Sequence, residues 1–400
     1  MSLNQTPSGD RVHIGFFGRR NAGKSSVVNA VTGQALSVVS DVKGTTTDPV
    51  RKAMELLPLG PVLIIDTPGF DDEGTLGALR IQKTRQILDE TDAAVLVAEA
   101  PAGLTSADRE LLSLLQERGT PTIVAYNKAD LLPGASVPPD HGLLVSALTG
   151  EGVVQLKERI AALLPDGLSA RRLTEDLVGP GDVAVLVTPI DSAAPKGRMI
   201  LPQQQVIRDV LDAGGINVVT KETELQQSLG TLRGTPAVVI TDSQAFAYVS
   251  SVVPAAVPLT SFSILFARHH GLLAEALRSA QALDSLPAGA AILIAEGCTH
   301  HRQCDDIGTV KLPRWIRQHT GRDFAFHFTS GREFPEDLSR FALVVHCGGC
   351  MLNPRAMLAR QRQAQAQGIP ITNYGVLIAH LQGILSRCVT MFPELSPKEA

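Results

Sequence analysis

The N-terminal part of the chain contains the sequence Val12-His-Ile-Gly-Phe-Phe-Gly18-Arg-Arg-Asn-Ala-Gly-Lys24-Ser25. It joins an apolar run typical of a strand to a glycine-rich loop, and an apolar helical pattern follows from Ser26. This strand–loop–helix order is the context that a P-loop requires. The glycines let backbone N–H groups surround phosphates, and the helix N-terminus adds partial positive charge. The sequence therefore predicts a P-loop domain in which Lys24 reaches the β- and γ-phosphates and Ser25 holds Mg²⁺.

Two further motifs follow predicted strands and specify the nucleotide. Asp66-Thr-Pro-Gly69 ends a strand, so its carboxylate can hold the Mg²⁺ shell and Gly69 can meet the γ-phosphate. Asn127-Lys128-Ala-Asp130 follows the strand at residues 122–126. Its aspartate suits the N1–H and 2-amino groups of guanine, which adenine cannot match. The predicted nucleotide is GTP.

A fourth motif, Ser146-Ala147 after the apolar run at residues 143–145, resembles the last guanine-contacting loop of GTPases. Four motifs in this order predict that the N-terminal domain binds GTP. The predicted nucleotide-binding residues are Gly18, Asn21, Ala22, Gly23, Lys24, Ser25, Ser26, Asn127, Lys128, Asp130, Ser146 and Ala147.

This first domain resembles the TrmE–Era branch of the GTPases. The sequence Gly44-Thr-Thr-Thr-Asp48 is similar to the first switch of that branch, which favours Thr46 as the Mg²⁺-sensing hydroxyl, while spacing leaves its two neighbouring threonines open. Phe70 stands where Ras-type proteins place the glutamine that orients water. Phe70 cannot do so, which predicts slow intrinsic hydrolysis. Asn21 matches the potassium-coordinating asparagine of cation-activated members of this branch, which implies stimulation by K⁺ over Na⁺. The predicted catalytic residues are Lys24, Thr46, Asp66 and Gly69.

A second candidate site lies in the last third of the chain. The sequence His346-Cys-Gly-Gly-Cys350 follows a short apolar run at residues 341–345, and Glu296-Gly-Cys298-Thr-His300 follows another at 290–295. Ligands gather where the strands of open α/β sheets end. If these two strands are neighbours, Cys298, Cys347 and Cys350 converge, with His300 and His346 beside them.

The cysteine pattern favours a metal site over simple packing, because all five cysteines lie between residues 298 and 388. Spacing alone leaves iron–sulfur and zinc open, with a redox dithiol as the next alternative. Glu296, Asp305, Asp306 and Cys304 are further candidate ligands by proximity in sequence. Cys388, in a helical pattern, is expected to pack. His319 and His327 are expected to be surface or core residues, and Trp315 is expected to anchor a turn.

Length, charge and composition limit the classes of protein to which this chain can belong. The chain has 400 residues, enough for two or three domains, and a formal net charge of −4. It contains no lysine- or arginine-rich run that would suggest a nucleic-acid-binding arm. No apolar stretch reaches the roughly 18–20 residues of a membrane span, and residues 1–11 do not resemble a signal peptide. We therefore expect a soluble cytoplasmic protein with neither a nucleic-acid nor a membrane partner.

The remaining chain alternates short apolar runs with helical patterns. Runs at residues 183–187, 216–219 and 237–240 and a helix at 203–211 indicate a small parallel sheet. Strands near residues 292, 343 and 370 indicate another. The predicted fold is α/β throughout, a P-loop GTPase domain followed by two further small α/β domains with mainly parallel sheets. The predicted boundaries are 1–170, 174–272 and 275–400.

The whole chain resembles one family, the HydF FeFe-hydrogenase maturation GTPases. The resemblance rests on the GTPase motifs, on Cys298-x-His300 followed by His346-Cys-x-x-Cys350, and on the stretches at residues 196–205 and 306–308. It implies a GTPase domain, a dimerisation domain and a cluster-binding domain. It also implies a 4Fe–4S cluster held by Cys298, Cys347 and Cys350, with His300, His346, a carboxylate or solvent in the fourth position.

The function that this resemblance implies is that of a scaffold and carrier. Such a protein receives a di-iron precursor from HydE-like and HydG-like radical-SAM maturases and delivers it to the FeFe-hydrogenase apoprotein, working as a homodimer. Two alternatives come from other classes: an RNA-modification or ribosome-assembly GTPase, and a GTPase with a structural zinc site. The acidic chain lacks the basic module that the first would usually carry.

Overall fold

The computed structural model describes residues 8–34, 49–57, 59–68, 86–133, 142–164, 173–190, 199–297, 306–393 and 395. The chain divides into two compact units, Met1–Leu168 and Ser169–Ala400. The first unit contains one described sheet and the second contains two, and helices connect their strands. The predicted α/β class with mainly parallel sheets is confirmed. Among the described residues, no helix combines the length and the apolar character that crossing a membrane demands.

The first unit is a six-stranded sheet flanked by helices. Its strands are β1 (Val12–Phe17), β2 (Val50–Leu56), β3 (Gly60–Asp66), β4 (Ala93–Glu99), β5 (Thr122–Asn127) and β6 (Leu143–Leu144). Its helices are α1 (Lys24–Thr32), α2 (Ser106–Glu117) and α3 (Val153–Ala162). The strand order is β2-β3-β1-β4-β5-β6, and only β2 runs antiparallel to its neighbour. The loops after β1, β3, β5 and β6 therefore share one edge of the sheet.

The central strands of this sheet are apolar on both faces because helices cover both faces. Along β1, Ile14 joins the core beneath α1 and α3, whereas Phe17 joins the core beneath α2. Along β4, Val95 and Leu96 divide between the same two cores. This burial holds the strand ends rigidly, so the loops that carry the motifs start from fixed points.

The second unit contains two four-stranded parallel sheets. The strands of the first are β7 (Val183–Val187), β8 (Ile216–Thr220), β9 (Val238–Thr241) and β10 (Leu259–Ser261), in the order β10-β9-β7-β8. Its helices are α4 (Leu201–Asp212), α5 (Leu225–Thr231), α6 (Phe246–Val252) and α7 (Phe262–His269). Because β8 ends the strand order, it is an edge strand among the described residues.

The second of these sheets carries the cysteine motif. Its strands are β11 (Ala291–Ala295), β12 (Ala325–Thr329), β13 (Leu343–His346) and β14 (Ile371–Asn373), in the order β12-β11-β13-β14. The helices are α8 (Leu273–Ala280), α9 (Ala282–Ser285), α10 (Leu312–Thr320), α11 (Pro354–Ala366), α12 (Tyr374–Leu381) and α13 (Leu385–Val389), with a π-helix at Ile307–Lys311 before α10. Alternate residues of β11 face two different cores, Ile292 and Ile294 one, Leu293 and Ala295 the other.

Most predicted elements are confirmed, and two expectations need correction. Strand β12 lacks a clear apolar pattern because none of its residues is fully buried, three being half-buried and two exposed, and the sequence does not predict it. Trp315 does not anchor a turn. It lies within α10, whose first residues Leu312 and Pro313 are buried, so the proline occupies the helix start where it is tolerated.

Candidate functional site

The loop between β1 and α1 passes so close to neighbouring atoms that two of its positions have no room for a side chain. Gly18 has φ 144°, and a Cβ there would lie 2.2 Å from the Val97 carbonyl oxygen. Gly23 has φ 85°, and a Cβ there would lie 2.2 Å from Nδ2 of Asn127. Asn21 adopts φ 62°, a left-handed conformation that asparagine tolerates better than most residues. The loop thus has the tight wrap that backbone recognition of phosphates requires.

Asn127 connects two of the predicted nucleotide loops. Its Nδ2 donates to the Ala22 carbonyl at 3.0 Å, and its Oδ1 accepts from the Ala147 N–H at 3.1 Å. The side chain is only 3% exposed at the end of β5. The P-loop and the Ser146-Ala147 loop are therefore held together by one amide group, a positioning role that the sequence motif did not reveal.

The predicted Mg²⁺ ligands lie side by side. The Ser25 hydroxyl donates to Oδ2 of Asp66 at 2.7 Å, because β1 and β3 are adjacent parallel strands. The other oxygen of Asp66 is buried without a hydrogen-bond partner among the described residues. A hydroxyl and a carboxylate with an unsatisfied oxygen fit a divalent cation. Lys24 Nζ donates to the Arg19 carbonyl at 3.1 Å, which curls the lysine over the loop.

The residues predicted to contact guanine also form a connected group. Ser146 Oγ donates to Oδ1 of Asp130 at 2.6 Å, and accepts from the Thr149 N–H at 3.1 Å. Lys128 has φ 64° and forms an ion pair with Glu99 at 3.1 Å. These contacts hold the exposed Asp130 carboxylate at the edge of the sheet. Ser26 lies half-buried in the first turn of α1, whereas Thr46 and Gly69 fall outside the described residues.

Arg19 is a functional candidate that sequence analysis did not single out. Its Nε donates to Oδ2 of Asp108 at 3.2 Å. Asp108 is fully buried and closes the capping box of α2 with Thr105. The P-loop is thereby anchored to the helix that follows β4. The Thr-x-x-Asp pattern at residues 105–108 predicts the helix cap, but the sequence does not indicate that Arg19 contacts Asp108.

The cysteine motif sits where two paired strands end. β11 and β13 are parallel neighbours, with Ala295 opposite His346. The Gly297 N–H donates to Sγ of Cys347 at 3.0 Å, so the segment leading to Cys298 meets the second cysteine motif directly. The Gly349 N–H donates to the same sulfur at 3.4 Å. Backbone N–H groups directed at a sulfur stabilise a thiolate, the form that binds metal.

Of the two glycines in this motif, only the second has a backbone conformation and surroundings that require glycine. Gly349 has φ 69°, and a Cβ there would lie 2.6 Å from Sδ of Met357, whereas a Cβ at Gly348 would make ordinary contacts. Cys347 and Cys350 are both half-buried thiols. Cys298 and His300 lie outside the described residues. The donor set that is described fits a soft metal centre.

His346 is held by hydrogen bonds on both ring nitrogens. Nδ1 lies 2.8 Å from the Cys347 carbonyl, and Nε2 lies 2.7 Å from Nη1 of Arg360. This requires the neutral tautomer that donates from Nδ1 and accepts at Nε2. Arg360 is itself buried, and it also donates to the Gly331 carbonyl. In this conformation neither nitrogen of His346 is available to a metal, and the ring instead supports the backbone of Cys347.

A buried acid–phenol pair lies beside the cysteines. The Tyr374 hydroxyl donates to Oε1 of Glu296 at 3.2 Å. Burial, together with the negative charges of Glu296, Cys347 and Asp306, raises the pKa of Tyr374 well above its usual value, so the phenol stays protonated. A Cβ at Gly308 would meet both groups, at 2.3 Å and 2.6 Å. The π-helix therefore packs its glycine against this pair.

Comparison with known families matches three parts of the chain. The Hydrogen maturase F dimerization domain matches residues 173–271, and the Hydrogen maturase F tetramerization domain matches residues 274–391. A model described as a 50S ribosome-binding GTPase matches residues 13–128. The last of these runs from the second residue of β1 to just past β5 and includes the P-loop, and it confirms the predicted GTPase domain.

The curated relatives compared here are GTPases that match less than half of the chain. The tRNA modification GTPase MnmE of Synechococcus sp. (strain JA-2-3B'a(2-13)) is 34% identical over 161 residues, which are 39% of this chain and 34% of that protein. The GTPase Era of Rippkaea orientalis is 30% identical over 38% of this chain and 53% of its own length. The chain thus spans about a third to a half of these relatives. A solved structure of an Era variant from Aquifex aeolicus bound to GDP.AlF4- covers 55% of this chain and 97% of its own, at 20% identity and a TM-score of 0.36.

Proposed function

Because the chain belongs to the hydrogen maturase F family, we propose that it is a cytoplasmic GTP-hydrolysing scaffold that carries a 4Fe–4S cluster and delivers a di-iron precursor to the FeFe-hydrogenase apoprotein. HydE-like and HydG-like radical-SAM proteins supply that precursor. The proposal keeps the division into a GTPase domain (1–170), a dimerisation domain (174–272) and a cluster domain (275–400). Its main support is the 3.0 Å contact from the Gly297 N–H to Cys347 Sγ, which brings the two cysteine segments together.

In the GTPase domain, the connected polar groups have separate roles in the proposal. Lys24 binds the β- and γ-phosphates, and the backbone of residues 18–26 surrounds them. Ser25 and Asp66 hold Mg²⁺, which supplies charge stabilisation to the phosphates when bound. Asp130, steadied by Ser146, recognises guanine.

The remaining hydrolytic assignments rest on the family resemblance. Thr46 and Gly69 complete the catalytic set from the segments outside the described residues. Asn21 coordinates K⁺ beside the phosphates, so we expect slow turnover that is faster in K⁺ than in Na⁺. Asn21 is exposed at a left-handed bend of the phosphate loop, so its side chain is accessible to a cation from solvent.

In the cluster domain, Cys298, Cys347 and Cys350 supply three thiolates. The hydrogen bonds on both nitrogens of His346 argue that this ring positions Cys347 and does not bind iron. The fourth ligand of the cluster is then His300, a carboxylate or solvent. A replaceable fourth ligand suits a carrier, because cargo must bind there and leave.

Assembly of the protein is proposed to use the edge strand β8. Ile216 and Val219 on β8 are 50% and 45% exposed, and Leu211 at the end of α4 is 55% exposed. Exposed apolar residues along an unpaired strand edge favour pairing with another chain. A dimer through this edge fits the family description of residues 173–271.

Anaerobic iron and sulfide reconstitution followed by low-temperature EPR tests the proposed cluster. Wild type should show a reduced 4Fe–4S signal that Cys298→Ala and Cys347→Ala abolish. Cys388→Ala is the matched control, because Cys388 is buried in α13. Its signal should equal that of wild type. Zinc uptake that Cys347→Ala abolishes, with no iron signal from wild type, would overturn the cluster proposal and leave a GTPase with a structural metal at the cysteines.

A further inference from the structure

Three side chains outside the two sites converge on one point of the second unit. Nε2 of His319 lies 3.0 Å from Oδ1 of Asp284, and Nε2 of His380 lies 2.9 Å from Oδ2 of the same carboxylate. One potential ligand atom from each residue lies within 4.8 Å of the others. No other three His, Cys, Asp or Glu side chains in the described ranges meet this criterion. The carboxylate therefore bridges two imidazoles that come from different helices.

The surroundings of this group favour a cation. His319 lies in the last turn of α10 and His380 in the last turn of α12, so both helix C-termini direct partial negative charge toward it. Arg322 donates to the backbone carbonyls of Asp284 and Leu286 at 2.9 and 2.8 Å. The guanidinium thus fixes the backbone under Asp284 without occupying the carboxylate.

The group is open to solvent and yet partly enclosed. The side chain of Asp284 is 49% exposed, that of His319 31% and that of His380 17%. A hydrated ion can therefore reach the carboxylate from solvent, and His380 is the most enclosed of the three side chains. Exposure at this level also leaves room for water as a further ligand.

We propose that Asp284, His319 and His380 bind one zinc ion, with solvent completing the coordination shell. Two imidazoles and one carboxylate are ligands that Zn²⁺ accepts in tetrahedral sites with an open position. Mg²⁺ and Ca²⁺ are disfavoured because they prefer oxygen ligands. Each histidine binds as neutral imidazole through Nε2, with its proton on Nδ1, so the ion replaces the two hydrogen bonds to Asp284.

This site is separate from the cysteine motif but is connected to it by α12. Tyr374 and His380 lie six residues apart on that helix, an axial rise of roughly 9 Å. Tyr374 donates to Glu296 beside Cys347, whereas His380 is directed toward Asp284. Zinc would therefore join α9, α10 and α12 and fix one end of the helix whose other end contacts the cysteine site.

Equilibrium dialysis of the full-length chain against Zn²⁺ tests the proposal. The parent protein carries Cys347→Ser and Cys350→Ser, so that these thiolates do not compete for zinc. We expect its tightest zinc site to weaken at least about tenfold in Asp284→Asn and in His380→Gln, since each removes one of three ligands. Co²⁺ in the same site should show ligand-field absorption without a thiolate charge-transfer band.

The matched control is His269→Gln. The rings of His269 and His270 lie 5.5 Å apart, the same separation as those of His319 and His380, but among the described residues they belong to no group of three potential ligands. Zinc affinity should be unchanged in this variant. Melting with and without Zn²⁺ separates binding from folding, since the zinc-dependent rise in Tm should vanish in Asp284→Asn. Equal zinc affinity and an equal zinc-dependent rise in Tm in parent and Asp284→Asn would overturn the proposal.

Discussion

Replacing Asn127 by alanine should uncouple the two nucleotide loops. The change removes the hydrogen bonds to the Ala22 carbonyl and from the Ala147 N–H, at 3.0 and 3.1 Å. Each is worth about 1 kcal/mol net, and the groups left buried add to the loss, so roughly 2–3 kcal/mol is expected. If nucleotide binding must restore the loop arrangement at this cost, the Kd for GTP rises by roughly 30- to 150-fold.

A titration with a fluorescent GTP analogue measures this loss directly. Asn127→Asp separates the two contacts, because a carboxylate still accepts from Ala147 but cannot donate to Ala22. We expect at least about a tenfold loss there, since the unpaired carbonyl would face a negative charge. Asn217→Ala is the control, because Asn217 makes the same kind of amide-to-carbonyl bond, 3.0 Å to Ile207, in the second unit. Binding within threefold of wild type in Asn127→Ala, where about 30-fold is expected, would refute the reasoning.

Three further predictions concern single side chains. Ser25→Ala should lower kcat/KM for GTP by at least about tenfold and raise the Mg²⁺ requirement. Ser113→Ala, at an exposed position of α2, should do neither. Arg360→Met should lower the free energy of unfolding by about 2–4 kcal/mol in denaturant titrations, because it strips charged donors from two buried acceptors, while exposed Arg362→Met should change it little. Burial raises the pKa of the Cys388 thiol to about 12, from 9.0. The protonated Cys388 thiol therefore contributes fully to the free energy of unfolding below about pH 9, and this contribution is lost as pH rises toward 12. In the native protein, Cys388 should resist alkylation near pH 8 until denaturant is added.

Local pattern was sufficient to place the two motifs at the ends of buried strands. The P-loop and the cysteine motif each follow an apolar run that proved to be a buried parallel strand, β1 and β13. Parallel strands end at one edge, so residues that end neighbouring strands meet there without any further information. Ser25 beside Asp66 and Gly297 beside Cys347 both arise in this way.

Contacts between helices could not be read from the sequence. Asp284, His319 and His380 lie 35 and 61 residues apart along the chain, on three helices whose packing depends on the shared core. The sequence accordingly predicts only a surface or core position for His319. The contact from Arg360 to His346 was also missed, because an arginine in a polar helix face usually points to solvent. The sequence does not predict strand β12, because its residues are half-buried or exposed and so do not alternate between apolar and polar.

The delivery of a di-iron precursor is the central claim, and hydrogenase activation tests it most directly. Full-length protein loaded anaerobically with cluster and precursor is mixed with the FeFe-hydrogenase apoprotein, and hydrogen evolution is measured. Wild type and Cys388→Ala should activate the apoprotein equally, and Cys347→Ala should not activate it. No activation by cluster-loaded wild type, or equal activation by Cys347→Ala, would contradict the claim.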